Sequence, residues 1–190
     1  MSTWINRASL TLVLALAACV APGGSGSPPK VAVLDGAVTL ALPASYCFDP
    51  ASVHEERGGA VAIGGRCRAE GPVPAAAITI SLGAEGSSAA LKPGARALTD
   101  WARSPAGRAA LSRDGNARSV RIRETLVSDG AFLIRLDDRA IGGYWRAALP
   151  LKGRLVMVSV TPPEGGPLSP EDGRRIAEGV VAALRRANAG

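Results

Sequence analysis

The apolar positions change period along the chain, and the changes mark its elements. Val31–Leu34 and Val38–Leu42 are short β-rich runs split by the turn pair Asp35-Gly36, and they predict a first hairpin. Asp49-Pro50 offers an N-cap with proline at the first helical position, so a short helix is expected that stops by Gly58-Gly59. Ala60–Cys67 and Ala76–Leu82 follow as strands, joined irregularly through Glu70-Gly71-Pro72 and Pro74. Beyond Leu91 the period becomes helical. Leu98, Trp101 and Ala102 fall at i, i+3 and i+4, so Ala95–Arg103 reads as an amphipathic helix with Trp101 in the core. Ser104-Pro105 then caps and starts a further turn or two through Leu111.

Period two returns after Asp114-Gly115. Ala117–Val127 sets Val120, Ile122 and Leu126 on one face against Arg121, Arg123 and Thr125, and Asp129-Gly130 turns it into Ala131–Asp137. With that pair as the tip, Arg123 lies near Leu136 and Arg135 near Glu124. Tyr144–Leu151, the turn Lys152-Gly153 and Arg154–Thr161 complete an antiparallel meander. The chain closes on Ser169-Pro170-Glu171-Asp172, a helix start, followed by the single apolar stripe Ile176, Val180, Val181 and Leu184. One stripe means a helix docked on a sheet. The expected fold is α+β, an antiparallel sheet of about six to eight strands with a central helical segment and a C-terminal helix packed on it. In element order it is similar to the Mog1/PsbP-like fold over Val31–Asn188.

The N-terminus has its own pattern. Arg7 is followed by an uncharged run, Ala8–Val20. As a helix it would reach about 20 Å, short of the roughly 30 Å hydrocarbon core of a bilayer, which is the layout of a signal peptide. It ends in Leu16-Ala17-Ala18-Cys19, which resembles the lipobox of bacterial lipoproteins. The resemblance implies cleavage before Cys19 and a diacylglycerol on its thiol. Residues 1–18 are then a signal peptide, 19–30 a lipidated cysteine with a Gly/Ser/Pro tether, and 31–190 a single globular domain. It also implies a membrane as partner through the N-terminal lipid, and a place in the cell envelope facing the periplasm. Val20 stands where an aspartate marks inner-membrane retention in enteric bacteria, which favours the outer membrane. The alternative is a conventional signal peptide with an incidental cysteine. Leu42-Pro43, Tyr46-Cys47 and Asp49-Pro50, with Tyr144-Trp145-Arg146 and Gly153-Arg154-Leu155-Val156, resemble envelope proteins of alphaproteobacteria that lend no activity.

Charge narrows the partners. Lys and Arg number 22 against 16 Asp and Glu, a net charge of +6. An exported basic protein does not meet nucleic acid, so an envelope protein, lipid headgroups, lipopolysaccharide or cell-wall polymers are expected instead. With Cys19 taken by lipid, Cys47 and Cys67 remain as a disulfide pair closing a loop of about 20 residues. The rival is a metal site at Cys47, His54 and Cys67, whose spacing matches no usual zinc pattern and which lacks a fourth ligand. No metal and no cofactor is expected.

No phosphate-binding loop, zinc-protease motif or nucleophile elbow occurs in the sequence. His54, the only histidine, reads as a solvated residue on a short polar helix. Asp137 and Asp138 are neighbours on a strand and point to opposite faces, so they do not form an acid/base pair; a turn with a local ion pair is expected. Arg121, Arg123, Arg135 and Arg146 are candidates for one anionic-ligand face of the meander, or for cross-strand ion pairs. Trp145 is either core or a ligand platform. The function expected is a non-catalytic, membrane-anchored binding or accessory module. The alternatives are a small-ligand carrier or sensor, which needs a closed apolar cavity, and an enzyme of unrecognised type with Glu124 or Asp137 as a perturbed acid in a sheet-face pocket.

Overall fold

The computed structural model describes residues 29–190; the expected signal peptide, Cys19 and most of the expected tether, together residues 1–28, lie outside the described residues. The first hairpin forms as the pattern predicts, with β1 (Lys30–Val33) paired to β2 (Val38–Ala41) as a separate two-stranded sheet. All later strands join one antiparallel sheet. They are β3 (Tyr46–Phe48), β4 (His54–Glu56), β5 (Gly59–Arg66), β6 (Ala77–Leu82), β7 (Val120–Ser128), β8 (Ala131–Asp138), β9 (Gly142–Leu151) and β10 (Arg154–Thr161). Their order is β3-β5-β6-β10-β9-β8-β7, with β4 also paired to β5. Between β6 and β7 come α1 (Gly94–Arg103) and α2 (Pro105–Leu111), and α3 (Pro170–Ala187) ends the chain. This is the α+β class read from the sequence.

The two faces of the sheet are covered differently. On one, α3 and the first hairpin close a core in which Phe48, Ile78, Ile80, Leu133, Leu149 and Leu184 are fully buried. Ser169 caps α3, its hydroxyl accepting from the Asp172 amide at 3.0 Å, and the predicted stripe Ile176, Val180, Val181 and Leu184 faces that core. On the other face α1 and α2 cover only the β7–β9 end, over Phe132, Ile134, Leu136 and Tyr144. The two helices meet so closely that a Cβ on Gly107 would lie 1.9 Å from the Trp101 carbonyl oxygen, so only glycine fits there.

Three expectations change. Asp49 does cap a turn, its carboxylate accepting from the Ala51 amide at 3.0 Å, but the helix is one 3-10 turn, Pro50–Ser52. The Ser52 hydroxyl accepts from the Ile63 amide at 2.8 Å and ties the chain to β5. His54-Glu55-Glu56 therefore continues as β4, and Arg57-Gly58, both at positive φ, turn it back into β5; His54 is exposed on a strand, not on a helix. In β7 the pairing with β8 slips between Ile122 and Glu124, leaving Arg123 as the extra residue of a bulge. Glu124 does oppose Arg135, but Leu136 faces Ile122, and beyond the bulge the two faces exchange. Val120 and Ile122 face α1 and α2, whereas Leu126 packs into the α3 core. Trp101 is 46% exposed, not core.

Cys47 on β3 and Cys67 just beyond β5 lie with sulfurs at bonding distance, 2.04 Å, and Cα atoms 4.9 Å apart. The pair holds the three-residue strand β3 against its neighbour. Both thiols of the rival metal site are thereby used. Reduction, or Cys67→Ala with Cys47→Ala, is expected to lower the unfolding free energy by about 3 kcal/mol, the chain-entropy value for a loop of this length. Urea titrations with and without reductant measure it, and coincident curves would refute it.

Candidate functional site

β7 is an edge strand, and its outer rim is where the arginines gather. A groove of about 600 Å³ is lined by Arg103 and Arg108 from α1 and α2, Arg118 from the loop before β7, Arg121 and Arg123 at the start of β7, and Arg139 after β8. Its two acids, Asp137 and Asp138, are both engaged. Asp137 pairs with Arg123 at 2.5 Å. Asp138, 3% exposed, accepts from the backbone amides of Arg113 at 3.1 Å and Ala140 at 2.7 Å. Arg108 is a brace, its Nε donating to the Ala117 carbonyl at 3.2 Å and a terminal nitrogen to the Arg103 carbonyl. Arg103, Arg118, Arg121 and Arg139 are exposed and make no ion pair among the described residues.

The loop that leads into β7 is itself pinned. Asp114 accepts from the Ser119 hydroxyl at 2.6 Å and from the Asn116 amide at 2.9 Å, and these bonds, the hydroxyl first, hold its carboxyl below the ordinary carboxylate range. That clamp delays the strand to Val120 and sets the position of Arg118. The bulge at Arg123 bends the edge beside it. Charged side chains and a bulge also keep an edge strand from pairing with another chain, so the same residues that make the groove basic protect it from aggregation.

No protein-family model matches the chain, and no curated protein does. Among solved structures the chain is similar to a crystal structure from Bacteroides thetaiotaomicron, at 12% identity and a TM-score of 0.38, over 83% of this chain and 47% of that one. The chain thus spans about half the length of that protein. No helix among the described residues is long and apolar enough to cross a membrane.

The four arginines singled out from the sequence separate. Arg121 and Arg123 line the groove. Arg135 lies one step inward, opposite Glu124 and Trp145, and lines a separate cavity of about 410 Å³ under the start of α3. Arg146 is on the other face. It pairs in register with Ile134, so it rises between the sheet and α1–α2, with its guanidinium 5.4 Å from the centre of the Tyr144 ring. The alternation of a strand decides this, because Arg135 opposes Trp145 and the next residue must point the other way. Glu124 pairs with Arg174 of α3 at 3.9 Å. Burial raises the Tyr144 phenol above its usual range, opposed by the nearby Arg146 charge. Trp145 is core. It is 3% exposed, and its indole N–H donates to the Pro170 carbonyl at 2.8 Å. The arginines that periodicity does not reveal, Arg103, Arg108, Arg118 and Arg139, sit on helix ends and loops; their only signal is the density of arginine between 103 and 139.

Proposed function

We propose that the chain is a membrane-anchored envelope lipoprotein that works as a non-catalytic binding module. On this reading Cys19 carries the lipid and the arginine groove holds an anionic polymer of the cell envelope. The observation that carries the reading is the groove itself, where four exposed arginines have no carboxylate partner among the described residues. They are spread over a strand, a helix end and two loops and do not converge on one point, which fits a chain of repeated charges better than a single anion. Phosphate and carboxylate groups are the natural mates of guanidinium, by paired hydrogen bonds as well as charge.

The test is binding of detergent-extracted protein to dextran sulfate, with neutral dextran and anionic lipid vesicles alongside. Binding to the sulfated polymer is expected to weaken as salt shortens the reach of the charges. Each arginine at an anionic surface contributes about 1 kcal/mol, so the double variant Arg118→Glu, Arg121→Glu should bind at least about 30-fold more weakly. Equal binding of neutral dextran, or an unchanged double variant, would sink the proposal. Preference for vesicles over the polymer would move the site from polymers to headgroups.

A further inference from the structure

We propose that the apolar cavity between α1 and the sheet, with Arg146 beside its floor, binds a single-chain amphiphile with an anionic head, of the long-chain fatty-acid class. This goes beyond the tethered-binder reading and does not depend on it.

The cavity exists because α1 is poorly seated. Its only fully buried residue is Ala102, while Leu98 is half-buried and Trp101 stands 46% exposed despite lying on the apolar stripe. Beneath them lies a cavity of about 520 Å³, roofed by Leu98 and Trp101 and floored by Phe132, Ile134, Ala148 and Met157. Its volume is that of a ligand site, and no charged side chain lines it. Protein interiors normally close such spaces by packing side chains into them. Most of the lining is aliphatic, with a flexible methionine, which suits a chain that can bend to fit.

Arg146 supplies the second observation. It rises from the same face of β9 as Ala148, two residues away, and lies beside Ile134 across the β8–β9 pair, so both its neighbours belong to the cavity floor. Its Nε is buried with no hydrogen-bond partner, and no carboxylate pairs with it among the described residues. The ring over which it lies, Tyr144, packs against the end of α2, its hydroxyl 3.5 Å from the carbonyl of Leu111, another cavity residue. A buried N–H of a cation left unanswered is costly, and a carboxylate answers it with a charge-assisted bond. Tyr144 answers part of the guanidinium and Nε is left over, so an apolar cavity with this cation beside its floor has the polarity of a fatty acid.

The experiment uses the full chain carrying Cys19→Ser and Trp4→Phe, free of detergent, so that Trp101 and Trp145 are its tryptophans. The probe is bromine-labelled octadecanoate, whose bromine quenches tryptophan only at short range. Saturable quenching is expected, and it should vanish in Trp101→Phe, since Trp145 faces the opposite side of the sheet. Ala148→Phe, which fills the cavity from the floor, and Ala97→Phe, which fills it from the exposed helix, should each abolish it. Arg146→Gln should weaken octadecanoate about tenfold, the value of one charge-assisted bond, and leave bromine-labelled octadecanol unchanged. Quenching that does not saturate, that survives Trp101→Phe, or that survives both fillers overturns the site. Equal weakening of acid and alcohol by Arg146→Gln overturns the role given to the anionic head.

Discussion

Trp145→Ala is expected to cost the fold about 3–5 kcal/mol, the usual loss when a buried tryptophan is truncated and its space cannot collapse. The indole is 3% exposed and sits where α3 begins. Its N–H donates to the Pro170 carbonyl at 2.8 Å, and the helix comes down so closely that a Cβ on Gly173 would lie 2.9 Å from the indole Cδ1. The helix and the tryptophan are therefore shaped to each other. Trp145→Phe keeps most of the packing and loses the hydrogen bond, so it should cost about 1 kcal/mol plus a share of the lost volume. Denaturant titration of the two variants separates packing from hydrogen bonding. A loss under about 1 kcal/mol for alanine would show that α3 does not depend on this contact. If Trp145 is core and not a ligand platform, anion binding per folded molecule should be the same in all three proteins.

The parts of this fold legible in the sequence are those where local pattern and tertiary packing agree. α3 announces itself by its cap and its single stripe, and the meander by successive β-rich runs with Asp-Gly and Lys-Gly turns. The misses come where a distant contact outranks the local signal. Asp49-Pro50 is a sound helix start, yet a hydrogen bond from Ile63 to the Ser52 hydroxyl ends it after one turn and delivers the next residues to a strand. Period counting through Ala117–Val127 assumes a regular ladder, and one extra residue at Arg123 reverses every face beyond it. β3 is three residues long, too short for any periodicity, and is held by its pairing to β5 and by Cys47–Cys67.

The candidate sites are legible to a lesser degree for the same reason. Arg121 and Arg123 can be found because they alternate with apolar residues on one strand. Their partners in the groove come from a helix end and from loops, which no period reports. Composition groups Arg146 with them, and only the register with Ile134 places it on the other face. Trp101 shows the reverse: its spacing marks it for the core, but the helix that bears it rests on so little of the sheet that the residue becomes the roof of a cavity. Two cavities of different chemistry thus lie at one end of the sheet, one lined by arginines and one by apolar side chains.

Cys19→Ser is expected to move the protein from the membrane to the soluble fraction. On the proposed reading a serine hydroxyl does not form the thioether that would carry the diacylglycerol, so the acyl anchor is lost. Each buried CH₂ contributes about 0.8 kcal/mol, so one chain holds a protein only reversibly while two or more hold it firmly. Intact mass of the wild-type protein extracted from its native membranes should match acylated residues 19–190, with a gain of two hydrogens on reduction if Cys47 and Cys67 are joined. An unacylated mass would remove the anchor. The salt dependence of release adds a distinction that neither site gives alone. Variant protein that stays on membranes at low salt and washes off at high salt would be held by the arginine groove acting on headgroups, and Arg118→Glu with Arg121→Glu should then release it at every salt concentration. Variant protein that is free at all salt concentrations would show that the groove does not hold headgroups, and the dextran sulfate titration then decides whether it holds a polymer.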